Sequence, residues 1–172
     1  MEHRTGKAVL TEHEWDRLTQ GLDALARVCE LEGLPMAYHP HMGTVVQDED
    51  QLAVLMERTQ KVGLTLDSGH LTYAGADALK EFKKYADRIR HVHFKDARRE
   101  VVSLAVKENW TFHDAVVAGV FTVPGDGSID FSPLAEVLRN QEYSGWIVVE
   151  AEQDPIKAPA LEYAKKGLQH LK

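Results

Sequence analysis

Hydrophobic residues along this chain follow two alternating periods. Trp15, Leu18, Leu22, Leu25 and Cys29 recur at helical spacing. They follow Thr11-Glu12-His13-Glu14, a capping box in which the Thr11 hydroxyl caps the amide three residues on while Glu14 reaches back. Gly33 is the expected stop. Residues 34–39 read as a strand, with Pro35 at its start where a missing donor does least harm. The alternation then repeats. A helix over 50–60 presents Leu52, Leu55 and Met56, and a strand covers 62–67. A Gly-containing loop reaches Ala74-Gly75, a helix over 77–87 buries Leu79, Phe82 and Ala86, and a strand covers 89–94. A longer stretch follows, with a helix expected over 101–109 and turn chemistry over 123–128. Ser132-Pro133 reads as an N-cap with Pro at the first helical position, opening a helix with Leu134, Val137 and Leu138. Residues 145–150 form the last predicted strand and 159–171 the last helix.

A helix followed by four strand–helix units implies an α/β fold with a parallel sheet and right-handed crossovers. His39 to Asp67 is 28 residues and Asp67 to His93 is 26, near the roughly 30 residues per unit of a (β/α)8 barrel. The next interval is 57 residues, to Glu150, so the third unit carries an insertion, at about 97–131. Strand parity places Ala37 with His39, Thr65 with Asp67, His91 with His93, and Val148 with Glu150 on one face. Each chemically distinctive residue falls at the C-terminal end of its strand, where barrels keep their active sites. Residues 1–172 are therefore read as one partial TIM-barrel domain with four of eight strands. An open half leaves two unpaired edges. Its complement is expected from a segment outside this chain or from a second copy in a homo-oligomer, with a small open α/β sandwich as the alternative.

Composition narrows the function classes. At 172 residues and 44% hydrophobic, the chain can bury a sizeable core. A net charge of -7 argues against a nucleic-acid partner. No apolar run approaches the roughly 20 residues of a membrane span. The opening Met1-Glu2-His3-Arg4-Thr5-Gly6 lacks a signal peptide's apolar core. A single cysteine, Cys29, excludes an internal disulfide and fits a cytoplasmic setting. Nine histidines are present, five of them between His39 and His93, and that concentration directs attention to metal chemistry.

Taken singly, each strand-end residue has an ordinary structural reading: a hydrogen-bonded histidine, a capping aspartate, a solvated rim glutamate. Taken together, His39, Asp67, His93 and Glu150 at four ends of one parity suit a divalent metal, and mixed nitrogen and oxygen donors favour Mn2+, Co2+, Fe2+ or Zn2+ over Ca2+. The apolar stretch 115–123 lies near the same mouth, as a lid, a subunit contact or an outer cover.

Five segments sharpen this reading: Tyr38-His39-Pro40-His41-Met42-Gly43-Thr44-Val45-Val46, Leu66-Asp67-Ser68-Gly69-His70-Leu71-Thr72-Tyr73-Ala74-Gly75, His91-Val92-His93-Phe94-Lys95-Asp96, 119–127, and Val149-Glu150-Ala151-Glu152-Gln153-Asp154-Pro155. Together they resemble the inosose dehydratase (2-keto-myo-inositol dehydratase) family of the xylose-isomerase-like TIM barrels, over about the C-terminal half of that barrel. The resemblance implies a metal-dependent lyase of inositol catabolism that removes water from a cyclic polyol ketone, with Mn2+ or Co2+ as the expected ion. It implies Asp67, His93 and Glu150 as metal ligands, with His39 standing where many relatives have Glu. His70 matches a substrate-touching histidine, and His70, Lys95 and Glu152 are the candidate acid–base groups. His41, Asp96 and Arg98 are candidate substrate contacts. A sugar isomerase or epimerase using the same metal, or a non-catalytic half-barrel assembly module, are the other readings.

Overall fold

A computed structural model describes residues 9–172; the N-terminal stretch discussed above lies outside them. The first helix, α1 (Glu12–Leu31), starts at the expected capping box. It ends as the sequence predicts: Gly33 adopts φ +71°, and the amides of Gly33 and Leu34 donate to the Glu30 and Cys29 carbonyls. A left-handed residue at this position closes the orphan carbonyls, which glycine does without a Cβ clash. There follow β1 (Ala37–Tyr38), α2 (Glu49–Arg58), β2 (Gly63–Asp67), α3 (Ser68–Ala74), α4 (Ala78–Lys84), β3 (Ile89–Phe94), β4 (Asp96–Ala97), α5 (Arg99–Lys107), α6 (Phe112–Val117), β5 (Phe121–Thr122), α7 (Ser132–Asn140), β6 (Ile147–Val149) and α8 (Ala160–His170).

Strands β1, β2, β3 and β6 form one parallel sheet in that order, and β4 and β5 form a separate antiparallel ribbon. In the main sheet Thr65 pairs with His91, Asp67 with His93, and His93 with Val148. One parity, Leu64, Leu66, Val92 and Phe94, is buried under the helices with Leu52, Leu55, Phe82, Leu134 and Leu138. Each such side chain contributes about 1.5–3 kcal/mol of burial, so the register cannot slip by one residue without turning that core to solvent. The opposite parity carries the polar residues. The fold is that of a TIM barrel's (β/α) units, and among the described residues the sheet does not close. Its two edge strands are short, and apolar side chains stand exposed beside each: Leu25, Val28 and Leu31 of α1 at one edge, Trp146, Leu161 and Leu168 at the other. None of the described helices is long and apolar enough to cross a membrane.

Four local expectations change. The first strand covers only Ala37–Tyr38. The loop expected after β2 is the helix α3, because Asp67 Oδ1 accepts from the His70 amide as its cap and Gly75, at φ +88°, ends it. The helix expected over 77–87 ends at Lys84 and continues as a 3-10 turn. Ser132 is inside α7 rather than capping it; its amide donates to Asp130 Oδ1. Within the apolar stretch 115–123, Val117 and Ala118 are exposed. Ala115, Val120 and Phe121 build a second core with Met42, Tyr73, Ala97 and Ala105.

Candidate metal centre

The parallel register brings the four strand ends to one mouth. Asp67 ends β2, His93 lies one residue from the end of β3, and His39 and Glu150 follow β1 and β6 directly. Asp67 Oδ2 is 3.6 Å from His39 Nε2 and 3.4 Å from His93 Nδ1, and His93 Nδ1 is 2.6 Å from Glu150 Oε2. The donor atoms of Asp67, His93 and Glu150 lie within 4.8 Å of one another, as do those of His39, Asp67 and His70. His39 Nε2, Asp67 Oδ2, His93 Nδ1 and Glu150 Oε2 are all buried without a hydrogen-bond partner. Leaving a buried polar atom unpaired costs about 1–3 kcal/mol, more for a charged one. Four such atoms aimed at one another, with carboxylate and imidazole chemistry, fit a metal ion.

A second layer sits beside this one. Lys95, fully buried, lies with Nζ 3.3 Å from both Asp67 Oδ2 and Glu150 Oε2, 2.9 Å from Glu152 Oε2 and 3.0 Å from His70 Nε2. His70 Nε2 is 3.2 Å from Glu152 Oε2, and His41 Nε2 is 3.7 Å from Glu152 Oε1. His41 Nδ1 meets the Met42 carbonyl at 2.8 Å. A carbonyl only accepts, so Nδ1 carries the proton and Nε2 keeps its lone pair when the ring is neutral. Phe121 and Phe112 wall the pocket, with ring centroids 5.0 and 6.0 Å from His70.

Charges here are tightly coupled. Burial works to raise the Asp67 carboxyl, but His39, His93 and Lys95 hold it well below the ordinary range. Burial likewise opposes the charged forms of His93 and Glu152 without prevailing. Contacts with Asp67 and Glu150 lift His93 to about 9, and His70 and Lys95 bring Glu152 to about 2. Glu150 is lowered, chiefly by His93. Burial pushes His70 down, against its contact with Glu152.

Two expected substrate contacts are otherwise engaged. Asp96 is fully buried, and its two oxygens accept from the backbone amides of Ala97, Gly125, Gly127, Ser128 and Ile129. Those five bonds occupy its acceptor capacity, so Asp96 holds the 125–129 turn to the ribbon. Arg98 donates to the Gly119 carbonyl at 2.6 Å, to Thr122 Oγ1 at 3.1 Å and to Asp126 Oδ2 at 2.5 Å. Both pin the insertion that carries Phe121. His39, His41, His70, Lys95 and Glu152 do meet at the mouth. Sequence reasoning missed Ser68, whose hydroxyl donates to the Lys95 carbonyl at 2.8 Å and accepts from its amide at 3.1 Å. It also missed Gly69: a Cβ there would stand 2.6 Å from Lys95 Cγ. An Asp-initiated run ending in Gly75 was the available signal for a capped helix holding both residues.

A half-wound parallel sheet with His and carboxylate donors at its C-terminal mouth places its chemistry where TIM barrels keep their active sites. The chain belongs to the xylose isomerase-like TIM barrel family, whose model matches residues 3–172. It is 49% identical over 168 residues to an inosose dehydratase of Geobacillus thermodenitrificans, covering 96% of this chain and 56% of that protein. To one of Clostridium perfringens it is 47% identical over 169 residues, covering 97% and 57%. The chain thus spans little more than half the length of these relatives. Among solved structures, the IolI protein with a binding zinc atom is similar at TM-score 0.69 and 20% identity, over 97% of this chain and 58% of that one. This likeness shows the fold alone.

Proposed function

We propose that this chain carries the catalytic mouth of a metal-dependent hydro-lyase that dehydrates a cyclic polyol ketone of the inosose kind. The observation that carries the reading is the set of four buried donor atoms at four strand ends that make no hydrogen bond and face one another. Identity of 47–49% to inosose dehydratases supplies the substrate class. A divalent ion held by Asp67, His93 and Glu150, with His39 beside them, would polarise the ketone oxygen and stabilise negative charge next to the carbon that loses its proton. The zinc-bound IolI protein makes Zn2+ a candidate alongside Mn2+ and Co2+.

The chain's own groups divide the proton work. Lys95 and His70 are buried, whereas Glu152 and His41 are partly open to the mouth. Lys95 holds Glu152 Oε2, which leaves Oε1 free to take the proton from carbon. His41 Nε2, 3.7 Å from that same oxygen, can take up the proton that Glu152 removed from carbon and deliver it to the departing hydroxyl as the C–O bond breaks. Expulsion of water is helped by the Phe112 and Phe121 wall.

The test is turnover of 2-keto-myo-inositol by this chain, measured beside a Glu152→Gln variant that retains its metal. General acid–base catalysis is worth about 10²–10⁴-fold, so turnover should fall by at least 100-fold. Exchange of the substrate's C–H with solvent without release of water would instead identify an isomerase or epimerase.

A further inference from the structure

Besides His39, Asp67 and His70, two sets of three donor atoms that share no residue lie within ion-binding reach of each other: Asp67, His93 and Glu150, and beside them His41, His70 and Glu152. The Lys95 ammonium stands between the sets and touches both. It is 3.3 Å from Asp67 and Glu150 of the first, and 2.9 and 3.0 Å from Glu152 and His70 of the second. From the geometry we infer that Lys95 is a built-in cation occupying the place of a second metal ion, which limits this centre to one.

Charge balance supports it. Asp67, Glu150 and Glu152 bring three negative charges; one divalent ion and one ammonium cancel them. A second divalent ion beside Lys95 would leave two uncompensated positive charges in a largely buried site, where unpaired charge is strongly disfavoured. The ammonium is also fixed in place. Its stem runs against Gly69, where even a Cβ would stand 2.6 Å from Cγ. Ser68 clamps its backbone on both sides, and the Phe121 ring lies 5.0 Å from Nζ. A surface lysine could swing away from an incoming ion; this one cannot.

The inference rests on the metal reading above but makes a separate claim about stoichiometry. The experiment is metal content per chain after loading with Mn2+ or Zn2+ alone and gel filtration, together with the Mn2+ electron paramagnetic resonance signal. Wild type should hold one ion and give the signal of isolated Mn2+. Lys95→Met keeps the stem and removes the charge; it should hold two ions, with the broadened signal of a coupled pair. Lys95→Met combined with Glu152→Gln should return to one, because the second set loses its carboxylate. Lys95→Gln supplies the same readout should the Met variant fail to fold. Two ions in wild type, or one in a folded Lys95→Met chain, would overturn the inference while leaving the metal reading intact. No ion in wild type would end both.

Discussion

Asp67, which ends β2, and Asp96, which opens β4, are both buried to within a few per cent, yet their surroundings are opposite. Asp96 has five backbone amides on its two oxygens. Asp67 spends one oxygen capping α3 and leaves the other without a hydrogen bond, in charge contact only with two imidazoles and an ammonium. A buried carboxylate with every lone pair engaged is a support, because its cost of desolvation is met inside the fold. One with an atom held open has that cost outstanding, and a ligand can meet it. The first kind is set by the turn chemistry of the insertion, the second by the convergence of separate strands.

The comparison breaks most readily by exchanging the partners. Asp96→Ala should destabilise the chain by about 3–5 kcal/mol, since several amides lose their acceptor at once; a denaturation midpoint close to wild type would remove Asp96 as a support. Asp67→Asn should cost the metal-free chain less than Asp96→Ala, because the amide oxygen can still cap α3 while the contacts with His93 and Lys95 weaken. What it should lose is the gain from added Mn2+ or Zn2+, which for a single site reaches about 2.7 kcal/mol at 100 times Kd. Thermal melts of both variants with and without ion separate the two roles, and a metal-dependent shift retained in Asp67→Asn would exclude Asp67 as a ligand.

Glycines give a finer test. A Cβ at Gly127 would overlap the Asp96 carboxylate and the Ala97 carbonyl, neither of which can move cheaply. Gly127→Ala should therefore cost about 1–3 kcal/mol. Gly69→Ala meets the Cβ, Cγ and Cδ of Lys95, the near end of a buried stem that is packed in place. It should cost a comparable amount, about 1–3 kcal/mol, and differ from Gly127→Ala by a change in ion content.

Titration should separate the regions with the least effect on stability. In metal-free protein His93 rises from 6.5 to about 9 in the fold. Its contribution is complete below 6.5 and disappears as pH rises through 9. Asp126, beside Arg98, Thr122 and Lys166, is lowered from 3.8 despite its burial. Its contribution is complete above 3.8 and is lost on acidification below that value. Urea midpoints across pH should show both limbs. Asp126→Asn should make the acid limb shallower, since Asp67, Glu150 and Glu152 share it. His93→Gln should remove the alkaline limb and weaken the acid one, because His93 holds Asp67 and Glu150 low.

Much of the frame was readable from residue order. The capping box at Thr11 and Glu14, the stop at Gly33 and the strand Ile89–Phe94 rest on neighbours in sequence. So does the parity that put His39, Asp67, His93 and Glu150 together. Helix α3 was not readable, because Ser68 and Gly69 are weak helix formers and the element depends on burial of His70, Leu71 and Tyr73 as well as its cap. The scaffold bonds of Asp96 and Arg98 were not readable for a related reason: nothing local shows that the 125–129 amides or the Gly119 carbonyl return to meet them.

The sequence alone therefore determined which faces the strands present and which residue types stand at their ends, since alternation along a strand is a local property of the backbone. Only the tertiary structure decided which polar groups are satisfied and which are held open. That depends on segments distant in sequence arriving at the same few ångströms, and it is what places Asp96 in the scaffold, Asp67 in the site and the Lys95 ammonium between two sets of donors.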